Sequence, residues 1–321
     1  MRSELITYEN GNIQTAKAVT EGLFDRYLRF LDASEKTKEA YTKALRQFFK
    51  YLQITGTTEP TRETIINYKN YLAFHEDENG KIKKLAPATI QLYLIAVKQF
   101  FKWTYSENLY PNIAENIKAP KVEKLHKKDH LSARQAKSFL STIDKSTDLG
   151  LRDYAIIALT ISCGLRDIEI SRANIEDLST AGGQNVLYIQ GKGRDEKAEF
   201  VKLPPQVVTA INSYLETRKG KRPEQPLFTG IGNRNLNGRL TTKTISRMIK
   251  GRLIKAGFES DRITAHSLRH TAVTLALLEG KSIFEVQQFA RHKNINTTMI
   301  YNHAITAEQN SCSEAVASVI F

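Results

Sequence analysis

The stretch PNIAENIKAPKVEKLHKKDH, residues 111–130, constrains the fold more than any other segment of the chain. Its two prolines, five lysines and lack of apolar periodicity suit neither a helix nor a strand. Residues 113–130 therefore read as a basic linker between two folded units. A chain of 321 residues is longer than one comfortable hydrophobic core, so a break here leaves two bodies of ordinary domain size.

Upstream of the break, residues 20–110 read as four helices with apolar residues at three- and four-residue spacing. In the second, Tyr41, Leu45, Phe48 and Leu52 share one face, and Lys38, Lys43, Arg46 and Lys50 occupy others. Thr61 is placed to cap a helix carrying Ile65, Tyr68 and Leu72. In the fourth, Ile90, Leu94, Val97 and Phe101 form the stripe, and Lys98 and Lys102 lie outside it. The aromatic members belong to a core, while lysine faces flanking a groove suit phosphate contacts.

Downstream, Leu131 is followed by Ser132 and Gln135 in a capping box that opens a helix. RDYAIIALTISCGL, residues 152–165, reads as a buried helix stopped at Gly164. VLYIQ and EFVKLP, joined by GKGRDEKA, read as a β-hairpin. Further helices are expected at about 205–218, 242–256, 265–278, 282–290 and 296–303. The fold class is therefore mainly α with a small β-hairpin: a helical domain over 15–112, the linker, a second domain over 131–303 and a tail over 304–321. That tail ends in Val316, Val319, Ile320 and Phe321, an apolar terminus that needs a host in its own domain or on another copy.

Charge narrows the function. The net charge is +13, with 21 basic against 15 acidic residues through Lys128 and 26 against 19 after it. Both parts thus carry an excess that attracts a polyanion, and double-stranded nucleic acid is the obvious one. No apolar run approaches the roughly 18 residues of a membrane span, and MRSELITYENGN has no apolar signal core, so no membrane partner is expected. The two cysteines, Cys163 and Cys312, point to reduced thiols in a cytoplasmic protein.

Several separated pieces have the chemistry to meet one phosphate. Arg166 follows the helix stop at Gly164, with Glu169 three residues on. His266 and Arg269, in HSLRH, share one face near a helix start, where the partial positive charge favours an anion. Lys192 stands between two glycines at the hairpin tip, His292 precedes the last expected helix, and Tyr301 lies within it. His270 and His303 read as structural.

In their order and spacing these motifs, GLRDIE, GKG, HSLRH and ARHKNINTTMIYNH, resemble the tyrosine recombinase (phage integrase) family and its short Xer-like members. The resemblance spans about residues 15–303. It implies a four-helix SAM-like core-binding domain and a catalytic domain that close on DNA as a C-shaped clamp. It also implies that Arg166 and Arg269 hold the scissile phosphate, His266 and His292 donate hydrogen bonds or assist proton transfer, and Lys192 protonates the departing 5′ oxygen. Tyr301 then takes the 3′ phosphate, and Glu169 orients Arg166. The partners so implied are double-stranded DNA with inverted half-sites and three further copies in a tetramer assembled through the tail.

No metal, cofactor or ATP is expected, because guanidinium groups can carry the phosphate charge and the phosphotyrosyl link conserves the bond energy. The phosphate-binding G-x-x-x-x-G-K-[ST] pattern is absent around Gly191-Lys192. One departure stands out. Family members often carry Leu-Gly ahead of the last histidine, whereas here Ala290-Arg291 brings bulk and charge to the turn.

DNA-contact candidates are Lys43, Arg46, Lys50, Lys98, Lys102, Lys121, Arg247 and Lys250. Fewer than 20 residues precede the first helix, too few for a separate arm-binding domain, which fits a simple recombinase, nucleoid-associated; it resolves chromosome dimers or serves a mobile element, and the latter is favoured because no feature ties it to a cell-division partner. The alternatives are a type IB topoisomerase-like enzyme and a DNA-binding regulator with a vestigial site.

Overall fold

The computed structural model describes residues 4–9, 12–18, 21–76, 80–122, 129–191, 196–308 and 311–321. The chain divides into two compact units, Met1–Glu123 and Lys124–Phe321.

The first unit opens with an antiparallel hairpin, β1 (Glu4–Glu9) and β2 (Asn12–Ala18), whose register shifts between Leu5 and Thr7. The sequence reading placed no element there. Four helices follow as expected: α1 (Glu21–Phe30), α2 (Glu35–Ile54), α3 (Arg62–Ala73) and α4 (Pro87–Ser106). A two-stranded ribbon, β3 (His75–Glu76) with β4 (Ile82–Lys83), lies between α3 and α4. Ser34 caps α2, Thr61 closes a capping box on α3, and Pro87 starts α4, where its missing N–H has no helical partner to lose.

The apolar stripes meet in one core. Leu45, Phe48, Ile65, Tyr68, Leu72, Val97 and Phe101 are fully buried, and Tyr41 packs at its margin. Tyr27 and Phe100 meet edge to face at 5.3 Å, the geometry their quadrupoles favour. Ala114 and Ile117 are buried in the same core, so the chain beyond α4 stays packed on this unit before reaching residues 123–128, which lie outside the described residues.

The second unit is organised around α6 (Asp148–Cys163), preceded by α5 (Ala133–Ser141) on its Ser132–Gln135 capping box. Ile156, Ile157 and Leu159 of α6 are fully buried, as a helix apolar on nearly every side requires. Next come α7 (Asp167–Arg172) and a three-stranded antiparallel sheet: β5 (Leu178–Ala181), β6 (Gln184–Ile189) and β7 (Glu199–Lys202). The expected hairpin is β6–β7. The strand β5 was missed because LSTA is short, and the Gly182-Gly183 after it reads as loop.

Six helices complete the unit: α8 (Pro205–Glu216), α9 (Thr242–Lys255), α10 (Ala265–Leu278), α11 (Ile283–Ala290), α12 (Ile295–Glu308) and α13 (Cys312–Ile320). The expected helix at 296–303 thus extends further, and the tail carries a helix of its own with no buried residue. A buried brace ties α6 to α9, with Asp153 accepting from Arg152 and Arg252, each at 2.7 Å. No described helix is long and apolar enough to cross a membrane.

Candidate active site

The site is built where helices end. At the end of α6, Gly164 takes φ 59°, and a Cβ there would come within 3.1 Å of the Phe289 ring. The left-handed glycine turns the chain sharply and sets Arg166 at the N-cap of α7. One turn on, Glu169 is fully buried. Its carboxylate accepts from the Arg166 amide at 2.8 Å, from Arg166 Nη1 at 2.8 Å and from Arg291 Nη2 at 2.9 Å. Burial alone would raise the Glu169 pKa, but Arg291 and the Arg166 amide outweigh it and hold the carboxyl below its ordinary value.

Arg269 enters from the second turn of α10 and is 2% exposed. It donates through Nη1 to the Gly164 carbonyl and through Nη2 to the Ala290 carbonyl. Arg166 Nη2 donates to the next carbonyl, that of Arg291, at 3.2 Å. Two guanidinium groups from different helices therefore hold consecutive carbonyls at the end of α11. Burial, then the charges of Arg166 and Arg291, depress the Arg269 pKa to about 9, which leaves it a cation at neutral pH.

The end of α11 is also where the sequence departs from the Leu-Gly pattern. Arg291 caps the helix at φ 53°, ψ 46°, a left-handed conformation that costs a side-chain-bearing residue about 1–2 kcal/mol. Its guanidinium offsets this by donating to Glu169, to the Gly164 carbonyl at 3.0 Å and to the Phe289 carbonyl at 2.7 Å. Arg291 is thus a third cation in the cluster, and not merely a bulky intrusion.

His292 follows directly. Its Nδ1 pairs with Thr298 Oγ1 at 2.9 Å, which leaves Nε2 for another ligand. Burial, then Arg269, Arg166 and Arg291, push its pKa down to about 4, so at neutral pH it is a hydrogen-bonding group without charge. Tyr301 lies one helical turn after Thr298, and its ring is nearly parallel to that of His292 at 6.2 Å. Thr298, fully buried, thus fixes the histidine on which the tyrosine packs.

Tyr301 itself is 5% exposed, and its hydroxyl is hydrogen-bonded to Nδ1 of His270. Burial raises its pKa to about 12, while Arg269 and Arg166 pull the other way. His266 is exposed at the start of α10 and stands edge-on to His270 with ring centres 4.3 Å apart.

Of the residues singled out in the sequence, Arg166, Glu169, Arg269, His292 and Tyr301 come together in one cluster, with His266 at its open edge. Lys192 lies outside the described residues. Its neighbour Gly191 accepts from Arg172 Nη1 at 3.2 Å, a bond that ties this end of β6 to α7. Sequence reasoning missed the engagement of Arg291 with Glu169 and read His270 as structural. The spacing of His266 and His270, four apart and so on one face, was the available signal.

Among the DNA-contact candidates, Lys43, Arg46 and Lys50 are exposed and line a groove of about 940 Å³ along α2 that also holds Glu35 and Glu39. Lys102, Lys121 and Arg247 are exposed, and Lys98 is half-buried. Lys250 donates to the carbonyls of Ser260 at 2.7 Å and Ile263 at 2.9 Å, bracing the loop that leads into α10. Among the described residues no group of His, Cys, Asp and Glu is gathered to hold a metal ion.

A helical N-terminal unit followed by a domain that gathers arginine, histidine and tyrosine side chains around helix ends defines a tyrosine recombinase. The chain belongs to the phage integrase family: the family profile matches residues 129–308, and that of the family's N-terminal SAM-like domain matches residues 23–108. It is 30% identical over 274 residues to the tyrosine recombinase XerC of Pelobacter propionicus, covering 84% of this chain and 85% of that protein. With the tyrosine recombinase XerD of Listeria innocua it shares 29% identity over 289 residues, 88% of this chain and 93% of that one. The fold is similar to that of the XerH site-specific recombinase in a post-cleavage complex with a palindromic difH substrate. There the TM-score is 0.70 at 22% identity, over 94% of this chain and 84% of the other.

Proposed function

We propose that this chain is a site-specific DNA recombinase that cleaves and rejoins double-stranded DNA through a 3′-phosphotyrosyl intermediate at Tyr301. The observation that carries this reading is the convergence of Arg166 and Arg269 on the consecutive carbonyls of Ala290 and Arg291, next to His292, with both cations acting on Tyr301. Relatives named tyrosine recombinase XerC and XerD support it.

Each guanidinium has five N–H donors, so those not bound to carbonyls or to Glu169 can take the non-bridging oxygens of a phosphate. Uncharged His292 and exposed His266 add hydrogen bonds, and Lys192 supplies the proton for the departing 5′ oxygen. One preorganised donor contributes about 10²–10³ in rate, so this set lowers a large part of the barrier without a metal ion. The phosphotyrosyl bond keeps the energy of the broken one, and rejoining needs no ATP.

In assembly terms, the domains at 15–112 and 131–303 both contact DNA with inverted half-sites, and four copies act on two duplexes. The segment 304–321 docks on a neighbouring copy, because α13 leaves Val316, Val319, Ile320 and Phe321 exposed. A mobile element is the host context this reading favours, in the cytoplasm at the nucleoid.

The test is to incubate the parent and Tyr301→Phe with DNA recovered by trapping, nicked so that the cleaved strand is lost. The parent forms a denaturant-resistant adduct, and the Phe variant binds without forming one. An adduct with Tyr301→Phe would show that the nucleophile is misassigned. Relaxation of plasmids without site preference would favour the topoisomerase alternative, and binding without any cleavage by the parent would favour the vestigial regulator.

A further inference from the structure

Tyr301 cannot attack phosphorus while its oxygen keeps its proton, and at 5% exposure bulk water has little access to that oxygen. The hydrogen bond between the phenol and His270 therefore becomes informative. We infer that His270 is the base that takes the phenolic proton of Tyr301, a catalytic role in addition to the arginine, histidine and tyrosine set above. This rests on the reading of Tyr301 as nucleophile.

The geometry supplies the reasons. Nδ1 of His270 is bonded to the Tyr301 hydroxyl, with ring centres 5.1 Å apart and planes tilted by 47°. In the tautomer that carries its proton on Nε2, Nδ1 accepts that bond and can take the phenolic proton. His270 is 5% exposed and sits on α10 one residue after Arg269, so the helix that brings a phosphate-binding cation also brings a proton acceptor to the attacking oxygen.

The other imidazoles are less suited. His292 has Nδ1 engaged by Thr298, and three guanidinium groups oppose its protonation. His266 is exposed at the outer turn of α10, where phosphate binding is the better use of it. The Glu169 carboxylate is taken up by Arg166 and Arg291.

The step balances. The Tyr301 O–H bond breaks and its proton passes to His270 Nδ1, while the freed electron pair forms the bond from the tyrosine oxygen to phosphorus. The bond from phosphorus to the 5′ oxygen breaks, and that oxygen takes a proton from Lys192. In rejoining, the 5′ hydroxyl attacks, its proton returns to the lysine, and His270 gives its proton back to the tyrosine.

The experiment measures single-turnover cleavage by the parent, His270→Ala, His270→Asn and Tyr301→Phe. It uses an ordinary nicked site and the same site with a 5′-bridging sulfur, whose thiolate leaves without needing a proton. Asn keeps a hydrogen-bonding group near the place of Nδ1 but has no basicity to offer. Both His270 variants should bind DNA and melt much as the parent does, yet cleave about 10²-fold or more slowly on both substrates.

Cleavage at or above the parent rate in His270→Asn would overturn the inference, since the bond would then only hold the phenol. So would recovery of the parent rate on the sulfur substrate, which would place His270 on the leaving-group side. Adduct formation by Tyr301→Phe would overturn the nucleophile reading itself, a distinct result.

Discussion

Replacing Arg291 with glycine sets two effects of the structure against each other. Glycine adopts the left-handed conformation at φ 53° without strain, which returns about 1–2 kcal/mol. The same change removes a guanidinium that is 7% exposed from a carboxylate that is fully buried. Breaking a buried pair by deleting one partner costs about 3–5 kcal/mol, and the lower end applies because Arg166 still faces Glu169. The net expectation is a loss of about 2 kcal/mol, or about 4–8 °C in Tm for a unit of this size. Arg291→Ala keeps the strain as well as losing the pair, so it should fall about 1 kcal/mol below Arg291→Gly. Urea unfolding of the three proteins measures both differences. A glycine variant as stable as the parent, or an alanine variant equal to it, would refute the assignment of the ion pair as what holds this strained turn in place.

Glu169→Gln should leave the guanidinium groups of Arg166 and Arg291 without their common carboxylate, lowering stability by about 3 kcal/mol and slowing adduct formation. Because the folded-state pKa of Glu169 is depressed, its contribution is present above about pH 4.5 and lost as pH falls below that; the Gln variant should show a flatter acid limb in urea midpoints against pH. Changing Lys43, Arg46 and Lys50 together to alanine should weaken binding to all duplexes and reduce the slope of log affinity against log salt by about 3, with the catalytic unit's melting unchanged. Truncation after Glu308, which removes α13, should spare binding to a single half-site and weaken assembly of the tetramer in gel mobility assays; unchanged assembly would show that the exposed apolar face has another use.

Much of this protein was legible in the residues themselves. The helices of the first unit follow from their stripes, Thr61 and Ser132 start helices through caps three residues long, and Gly164 stops α6 where a left-handed residue is required. These signals act within a turn or two, so neighbouring residues contain all the physics they need. The spacing of Arg166, His266, Arg269, His292 and Tyr301 was legible too, as a pattern of chemistry without geometry. Packing decided the rest. The bond from Arg166 to the Arg291 carbonyl spans 125 positions, that from Arg269 to Gly164 spans 105, and the His270–Tyr301 pair spans 31. Such contacts depend on how α6, α10, α11 and α12 pack against one another, which no local pattern encodes. That is why an arginine noted for its bulk and charge became the clasp of its turn, and why a histidine read as structural meets the tyrosine oxygen.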